Sequence, residues 1–181
     1  MPSGRNTYDR KQKLEAFEKV VSEYEGRLLK YGTSILRDPY AAQDVVQEAF
    51  IRLFKYWEEK LEPSPALSSW LYRVVHNCAV DYVRHESRRQ ARIKILSGRH
   101  PGAAQPDLGE NLDVSDAAVR ADRALRKLNM RERQLVVLKV YEEKSYREIS
   151  EITGLTVGNV GYILHYAMKK LAAELKKDKN P

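Results

Sequence analysis

The 181-residue sequence is poor in cysteine and has no long apolar run. Its one cysteine, Cys78, rules out an internal disulfide and fits a reducing compartment, so we expect a cytoplasmic protein. Apolar runs such as LVVL at 135–138 are far shorter than the roughly 20 residues of a transmembrane helix, so we expect no membrane insertion. The charged start, MPSGRNTYDRKQKLEAFEK, also lacks the apolar segment of a secretory signal.

The sequence also lacks the motifs by which enzymes and metalloproteins are usually recognised. It contains no glycine-rich phosphate loop and no nucleophile–base pair in a motif. The four histidines are scattered, and neither His76 nor Cys78 has a metal-ligand partner at a recognisable spacing. We therefore predict a protein that is not an enzyme and that holds no metal and no cofactor.

Basic residues outnumber acidic ones, but unevenly along the chain. The net charge of +7 and the pI near 9.4 favour a polyanionic partner such as nucleic acid without proving one. Residues 88–100 carry five basic residues and no acid, whereas residues 101–120 carry four acids, one arginine, two prolines and two glycines. This composition is typical of an interdomain linker, with a solvated surface loop as the alternative. The predicted organisation is a helical domain at 1–90, a flexible linker at 91–120 and a second helical domain at 121–181.

Apolar side chains recur at steps of three and four residues, which predicts an all-α fold without a sheet. One such pattern runs from Leu14 to Leu29. Asp38 followed by Pro39 predicts the start of a second helix, because aspartate caps a helix and proline fits its first turn. The segment EPSP at 62–65 ends that helix, and a third apolar pattern follows.

The C-terminal block contains three helix starts and a tight turn, and Thr156 is the predicted cap of the last helix. Asn129 with Glu132, and Ser145 with Glu148, have the spacing of a capping box, in which a short polar side chain and an acid satisfy the first amides. Gly154 stands where a helix-turn-helix corner needs a left-handed residue. A plain packing hairpin that reads no DNA is the alternative. The apolar seam expected to clamp the two helices comprises Ile149, Ile152, Leu155, Val157, Val160, Leu164 and Leu171.

Three stretches of the sequence carry recognisable motifs. They are DVVQEAF within 38–57, WLYR within 67–89, and SYREISEITGLTVGNV within 128–171. In this order and spacing they closely resemble bacterial RNA polymerase sigma factors of the small extracytoplasmic-function, sigma-70-like type. The three stretches cover about half of the chain, and the charge-defined linker falls where this family has its interdomain connector.

The resemblance implies a function in transcription initiation. A sigma factor binds core RNA polymerase and directs recognition and melting of promoter DNA, and an anti-sigma protein is a further partner in this family. The alternative is a sigma-like decoy that binds an anti-sigma protein rather than promoters. Transcription from core polymerase distinguishes the two, because only a sigma factor starts transcripts.

The resemblance also assigns a role to the second predicted helix, which docks on the polymerase clamp in relatives. Its polar residues lie at helical neighbour spacings and form one face, while Val45, Val46 and Phe50 pack inward. A merely solvated helix face is the alternative. The predicted polymerase-binding residues are Asp44, Gln47, Glu48 and Arg52.

The third predicted helix corresponds to the promoter-melting segment of relatives. Holding an extruded base requires an aromatic wall, a group for the base edge and cations for the phosphates. Core packing is the alternative for Trp70, and a cap at a helix break is the alternative for Asn77. The candidates are Trp70 and Tyr72 for the wall, Asn77 for the base edge, and Arg73, Arg84, Arg88 and Arg89 for the phosphates.

The last predicted helix has no Lys or Arg before Lys169. Relatives usually place basic residues at the positions held here by Gly161, Ile163, Tyr166 and Met168. Since phosphate contacts usually dominate affinity for DNA, we predict weak or unusual readout of the promoter element farther upstream. The predicted DNA-contacting residues of this domain are Lys144, Arg147, Gly158, Asn159, Tyr162, His165, Tyr166, Lys169 and Lys170.

Overall fold

The computed structural model describes residues 5–56, 61–97 and 116–177, without the side chains of 5–10, 94–97 and 116–118. These residues contain helices and no strand, so the predicted all-α fold is confirmed. The elements are α1 (Arg5–Leu36), α2 (Pro39–Tyr56), α3 (Pro65–Ser97), α4 (Asp116–Arg126), α5 (Met130–Val136), a π-helical turn (Val137–Tyr141), α6 (Tyr146–Thr153) and α7 (Val157–Lys177). Most of the predicted linker lies outside the described residues, and the domain boundaries stay a prediction.

Helices α2 and α3 begin at polar caps. Asp38 Oδ1 accepts hydrogen bonds from the amide of Tyr40 at 2.9 Å and from the amide of Ala41 at 3.2 Å. Ser64 Oγ accepts a hydrogen bond from the amide of Leu67 at 3.2 Å. These side chains satisfy amides that the first turn of a helix leaves without an intrahelical partner.

Both predicted capping boxes are present in the C-terminal block. The side chains of Asn129 and Ser145 accept hydrogen bonds from the amides of Glu132 and Glu148, and the two carboxylates accept from the cap amides in return. Gly154 ends α6 with a φ of 71°, which is the left-handed conformation expected at the corner. The local geometry of the predicted helix-turn-helix is therefore confirmed.

The π-helical turn that continues α5 was not predicted by the apolar periodicity. At its end the amide of Glu142 donates to the carbonyl of Val137 at 3.2 Å, and the amide of Lys144 donates to the carbonyl of Leu138 at 2.9 Å. Glu143, between these residues, has a φ of 52°, which is uncommon for a residue with a side chain. The turn thereby fixes the direction of the segment that precedes α6.

The N-terminal and C-terminal helices pack directly on each other. Helix α3 packs against α6, and α1 packs against α5. Leu28 and Leu71 of the first block belong to the same hydrophobic cluster as Leu138 and Ile149 of the second. We refer to this packing of the two blocks as the closed arrangement.

A polar pair is buried inside the first block. The hydroxyl of Tyr31 lies 3.0 Å from Nδ1 of His76, and the rings of Tyr31 and Tyr72 meet edge to face with centroids 5.4 Å apart. Tyr31 is fully buried, and His76 is 7% exposed. Because burial penalises the charged imidazolium, it lowers the pKa of His76 to about 4.

His76 should make the stability of the fold sensitive to acid. Its pKa is about 4 in the folded chain against an ordinary 6.5, so folding disfavours the protonated ring. The stabilisation is fully present above pH 6.5 and is lost, by about 3 kcal/mol in total, as the pH falls from 6.5 to 4. Urea unfolding at several pH values measures this loss. His76→Gln, which cannot titrate, should lose less unfolding free energy over the interval, and equal losses in both proteins would contradict the assignment.

Candidate functional site

The four polar side chains predicted to bind polymerase lie together along α2. Asp44, Gln47 and Arg52 are exposed, and Glu48 is half-buried. Glu48 Oε1 accepts a hydrogen bond from Arg52 Nε at 2.7 Å, and this hydrogen bond raises the pKa of Arg52. The opposite face of α2 is buried in the core. The helix therefore presents a defined charged surface.

An apolar groove between α1 and α2 adjoins this charged surface. Leu14, Ile51 and Phe54 are 49%, 42% and 39% exposed, and they line the groove together with Asp44 and Gln47. Exposed apolar side chains beside fixed charges are typical of a protein-binding surface. Sequence reasoning did not predict the groove, because apolar periodicity does not show that Phe54 stays exposed. The available signal was that apolar residues occupy more of α2 than one buried face requires.

Helix α3 carries a stripe of exposed polar side chains. Arg73, Asn77, Arg84 and Arg88 are separated by four, seven and four residues, so they lie on one helical face, and all four are exposed. Asp81 lies on the same face and accepts a hydrogen bond from Arg84 at 3.4 Å. We call these three arginines and Asn77 the basic stripe. The structure thus brings together four of the seven residues predicted for promoter melting.

Asn77 lies within an unbroken helix. Helix α3 runs from Pro65 to Ser97 without interruption, so Asn77 does not cap a helix break. Its exposed carboxamide can both donate and accept hydrogen bonds. Arg89 lies off the basic stripe and forms a bidentate ion pair with Glu86, at 2.9 and 3.0 Å.

The predicted aromatic wall is not assembled in the closed arrangement. Tyr72 is fully buried, and burial raises the pKa of its hydroxyl. Its ring lies under the ammonium group of Lys144, which is 5.3 Å from the ring centroid. The prediction that Tyr72 lines a base pocket is therefore wrong for this arrangement, because the segment before α6 covers the ring. Trp70 is half-buried and packs against the core, as the alternative interpretation required.

Helix α7 begins at a threonine cap. Thr156 Oγ1 accepts a hydrogen bond from the amide of Asn159 at 3.2 Å. Val160 and Leu164 are buried and clamp α7 to α6, as predicted. Val157 is 48% exposed, so its prediction as a seam residue is wrong.

The exposed face of α7 is aromatic rather than basic. The rings of Tyr162 and Tyr166 lie with centroids 4.7 Å apart, and His165 meets Tyr166 edge to face at 5.3 Å. Gly158 and Asn159 are exposed on the first turn of the same helix. The residues predicted to read the groove are therefore exposed, and the rings of Tyr162, His165 and Tyr166 pack on one another.

The cations predicted to accompany this face are partly engaged with carboxylates. Lys170 pairs with Glu132 at the start of α5, and Arg147 pairs with Glu151 at 3.4 Å. Lys169 is exposed. Ion pairing reduces the positive charge that Lys170 and Arg147 present to DNA.

Lys144, predicted to contact a DNA phosphate, is buried in the closed arrangement. Its Nζ donates a hydrogen bond to Ser68 Oγ at 2.8 Å and lies 3.9 Å from Glu148. Burial lowers the pKa of Lys144. The prediction therefore does not hold in this arrangement, because the segment before α6 inserts its side chain between the two blocks.

These elements define an all-α protein with a helix-turn-helix in its second block and a basic helical stripe in its first. Among the described residues, no helix is long and apolar enough to cross a membrane. The same part of the chain contains no group of three or more His, Cys, Asp and Glu side chains that could hold a metal ion.

Comparison with known families identifies the class of this protein. Residues 20–89 match the model of Sigma-70 region 2, and residues 118–171 match the model of Sigma-70 region 4. The RNA polymerase sigma-E factor of Streptomyces antibioticus is 29% identical over 160 residues, which cover 88% of this chain and 84% of that protein. The ECF RNA polymerase sigma factor SigW of Bacillus subtilis (strain 168) is 26% identical over 172 residues, covering 90% of each chain. The chain belongs to the sigma-70 family of RNA polymerase sigma factors, in its extracytoplasmic-function group.

Solved structures support the fold. The sigma factor RpoE from Bartonella quintana, solved in complex with the anti-sigma factor NepR, superposes with a TM-score of 0.64 at 20% identity, covering 88% of this chain and 96% of that one. CnrH, solved in complex with the cytosolic domain of CnrY, superposes with a TM-score of 0.58 at 23% identity, covering 94% of this chain and 98% of that one.

The shortage of cations on α7 can be tested by adding one. Ile163 packs against the core, so a new charge belongs at an exposed position such as His165. In the full chain, His165→Arg should tighten binding to a DNA duplex and steepen the dependence of log affinity on log salt concentration by about 0.9. Fluorescence anisotropy over a salt series measures both quantities.

The matched control is Tyr40→Arg, which adds the same charge to the exposed start of α2. If His165→Arg and Tyr40→Arg change affinity and salt dependence equally, the exposed face of α7 does not meet DNA.

Proposed function

We propose that this sigma factor binds core RNA polymerase and directs it to promoters, which it recognises and melts. The basic stripe of α3, with the exposed amide of Asn77 at its centre, carries this proposal. It lies within residues 20–89, which match Sigma-70 region 2. In this function the chain is not itself an enzyme, because the polymerase performs the chemistry, and it acts in the cytoplasm with the chromosome.

The charged surface of α2 and the adjoining apolar groove form the proposed polymerase-binding site. The Glu48–Arg52 pair holds two opposite charges in fixed positions, and Asp44 and Gln47 extend the polar surface toward the groove. Fixed charges select a complementary partner, whereas burial of exposed apolar side chains supplies affinity. Ile51 and Phe54 are the apolar side chains placed to be buried on docking.

The basic stripe is the proposed site for the separated promoter strand. Its arginines span four helical turns, so they can follow a phosphate backbone along the helix. Asn77 is the residue on this face that can both donate to and accept from a base edge. The arginines of the stripe would therefore hold the phosphate backbone of the DNA strand, while Asn77 would contact one base.

Helix α7 is the proposed reader of the upstream element. Asn159 can form paired hydrogen bonds with adenine, and the hydroxyls of Tyr162 and Tyr166 can reach phosphates or base edges. Val157, Gly158 and Asn159, in the first turn of α7, are exposed, as entry into a major groove requires. Weak electrostatics make this contact depend on the polymerase, which holds the domain beside the duplex.

An anti-sigma protein is a further proposed partner. A structural neighbour, RpoE of Bartonella quintana, was solved in complex with an anti-sigma factor. The second candidate function, a sigma-like decoy for such a protein, is favoured by the aromatic exposed face of α7 and by the burial of Lys144.

Run-off transcription with core polymerase separates the two functions. The template is a library of fragments from the source genome, and the transcripts are mapped at their 5′ ends. A sigma factor produces transcripts with a shared upstream sequence, whereas a decoy produces none and lowers the output of a competing sigma factor when an anti-sigma protein is present.

The polymerase-binding surface predicts a charge-reversal phenotype. Asp44→Lys with Glu48→Lys should abolish co-purification with core polymerase, because both changes reverse charge at the proposed interface. Circular dichroism should stay helical, since both side chains lie outside the core. Glu15→Lys with Glu18→Lys makes the same charge change on exposed positions of α1 and should leave binding intact. Equal binding by both double variants would contradict the site.

Asn77 predicts a change in base preference. Asn77→Ala should reduce open-complex formation by about five- to 150-fold and relax preference at one position of the melted element, as loss of about 1–3 kcal/mol implies. Permanganate footprinting and sequencing of transcripts from a randomised promoter measure these effects. Val119→Ala, at an exposed position of α4, is the control. An unchanged footprint together with unchanged base preference would limit Asn77 to a structural role.

A further inference from the structure

We propose that a cavity between α1 and the C-terminal block binds a small amphipathic anion, in which a phosphate, sulfonate or carboxylate group is attached to an apolar body. The cavity has a volume of about 430 Å³, which lies within the usual range of small-molecule sites. None of its lining residues belongs to the charged surface of α2, the basic stripe of α3 or the exposed face of α7. The site is therefore additional to the proposed function.

Apolar side chains from both helical blocks line part of the cavity. Leu29 of α1 and Leu125 of α4 are partly buried against the core, and Val137 is buried. Tyr141, at the end of the π-helical turn, is 53% exposed. An apolar ligand body placed against these side chains would release water from both surfaces, which favours binding.

The polar part of the lining is basic. It comprises Lys30, Arg37, Arg126 and Arg133, with Asp122 as its single acid. Asp122 Oδ2 lies 2.8 Å from Nε of Arg126, so this carboxylate is already engaged. Arg37 donates a hydrogen bond to the carbonyl of Arg126 at 3.1 Å, which positions its guanidinium group beside the cavity. The excess of positive charge favours an anionic ligand.

Arg133 differs from the other buried charges of the described residues. Four charged side chains are buried there, and three of them form an ion pair. These pairs are Glu132 with Lys170, Glu142 with Arg27 at 2.8 Å, and Lys144 with Glu148 at 3.9 Å. Arg133 is 6% exposed and forms no ion pair with a carboxylate in this part of the chain.

The partners of Arg133 are neutral carbonyl groups. Its Nε donates to the carbonyl of Ser34 at 2.5 Å, and its Nη1 donates to the carbonyl of Leu128 at 3.4 Å. Burial lowers the pKa of Arg133 to about 10, the like charge of Arg37 adds to this effect, and Asp122 opposes it without cancelling it. Because a buried cation without a counter-ion is costly, an anion bound in the cavity would stabilise Arg133.

Arg37 occupies its position at a conformational cost. It ends α1 with a φ of 55°, and its amide donates to the carbonyl of Thr33 at 2.8 Å. Glycine is the usual residue in this left-handed position after a helix, because a side chain makes the conformation less favourable. The side chain that glycine would lack is the one that brings a guanidinium group to the cavity.

Two matched fluorescent probes test the site in the full chain. The anionic probe is 1-anilinonaphthalene-8-sulfonate, and the neutral probe is N-phenyl-1-naphthylamine, which has the same rings without the sulfonate. The parent should bind the anionic probe at one saturable site and more tightly than the neutral probe, because only the sulfonate can pair with the arginines. Fluorescence titration measures both affinities.

Variants separate the contribution of charge from that of apolar contact. Arg37→Gln should weaken binding of the anionic probe about fivefold or more and leave binding of the neutral probe unchanged. Arg126→Gln is the second variant of this kind. Leu125→Ala should weaken both probes about equally, because it removes apolar surface alone. Lys19→Gln, an equal loss of charge on an exposed part of α1, should change neither affinity, and thermal melting shows that each variant is folded.

Competition identifies the chemical source of the ligand. Adenosine 5′-monophosphate carries its phosphate on a nucleoside, whereas decanoate carries its carboxylate on an aliphatic chain. Displacement of the anionic probe by either compound supports the site and assigns its ligand class. Displacement by neither would mean that the cavity accepts the dye alone, and it would overturn the proposal.

Two further outcomes would overturn the proposal. One is equal affinity of the parent for the two probes, or equal affinity of Arg37→Gln and Lys19→Gln for the anionic probe. The other is that the parent binds neither probe while a chain with Asp107→Asn, Glu110→Gln and Asp113→Asn binds both, since the cavity would then belong to the linker of this chain. Run-off transcription by the parent tests the proposed function separately, whatever the probes show.

Discussion

The arrangement of this protein depends on one requirement, that the nearly buried carboxylate of Glu142 has a charged partner. That partner is Arg27, which lies 115 positions earlier and in the other helical domain. A buried ion pair contributes little net stability, because desolvation offsets its attraction, but it strongly penalises arrangements in which one partner is missing. Glu142 therefore specifies how the two domains meet. The π-helical turn that positions it, the left-handed Glu143 and the buried Lys144 all serve the same junction.

The cations of the described residues differ in their availability to DNA. Some basic side chains, such as that of Arg88, are exposed. Others form ion pairs with carboxylates, as Lys170 does with Glu132. The arginines of the basic stripe of α3 and Asn77 remain exposed in the closed arrangement, although Arg84 pairs with Asp81. Promoter melting thus depends on a surface that is exposed in the closed arrangement, whereas groove reading by α7 depends on a surface whose supporting cation, Lys144, is withdrawn.

Local rules of helix formation allowed much of the fold to be predicted from the sequence. The capping boxes at Asn129 and Ser145 and the left-handed Gly154 depend on neighbours within a few residues, so their geometry was accessible from spacing. The polar face of α2 followed from helical periodicity, whereas the candidate residues of α3 came from the resemblance, which also included Arg89 although it lies off the basic stripe. Tyr72 and Lys144 were not accessible in this way, because their burial results from contact between segments about seventy residues apart. The resemblance predicted roles for Tyr72 and Lys144, but it did not predict that the two domains pack on each other.

The most direct test of the junction is a double-mutant cycle on Arg27 and Glu142. Unfolding free energies of the parent, Arg27→Gln, Glu142→Gln and the double variant are measured by urea denaturation of the full chain. Each single change should destabilise the protein, and the double change should cost less than the sum of the two, with a coupling of at least about 1 kcal/mol. Additive costs would contradict the account, because they would mean that Glu142 does not depend on Arg27 in the folded chain.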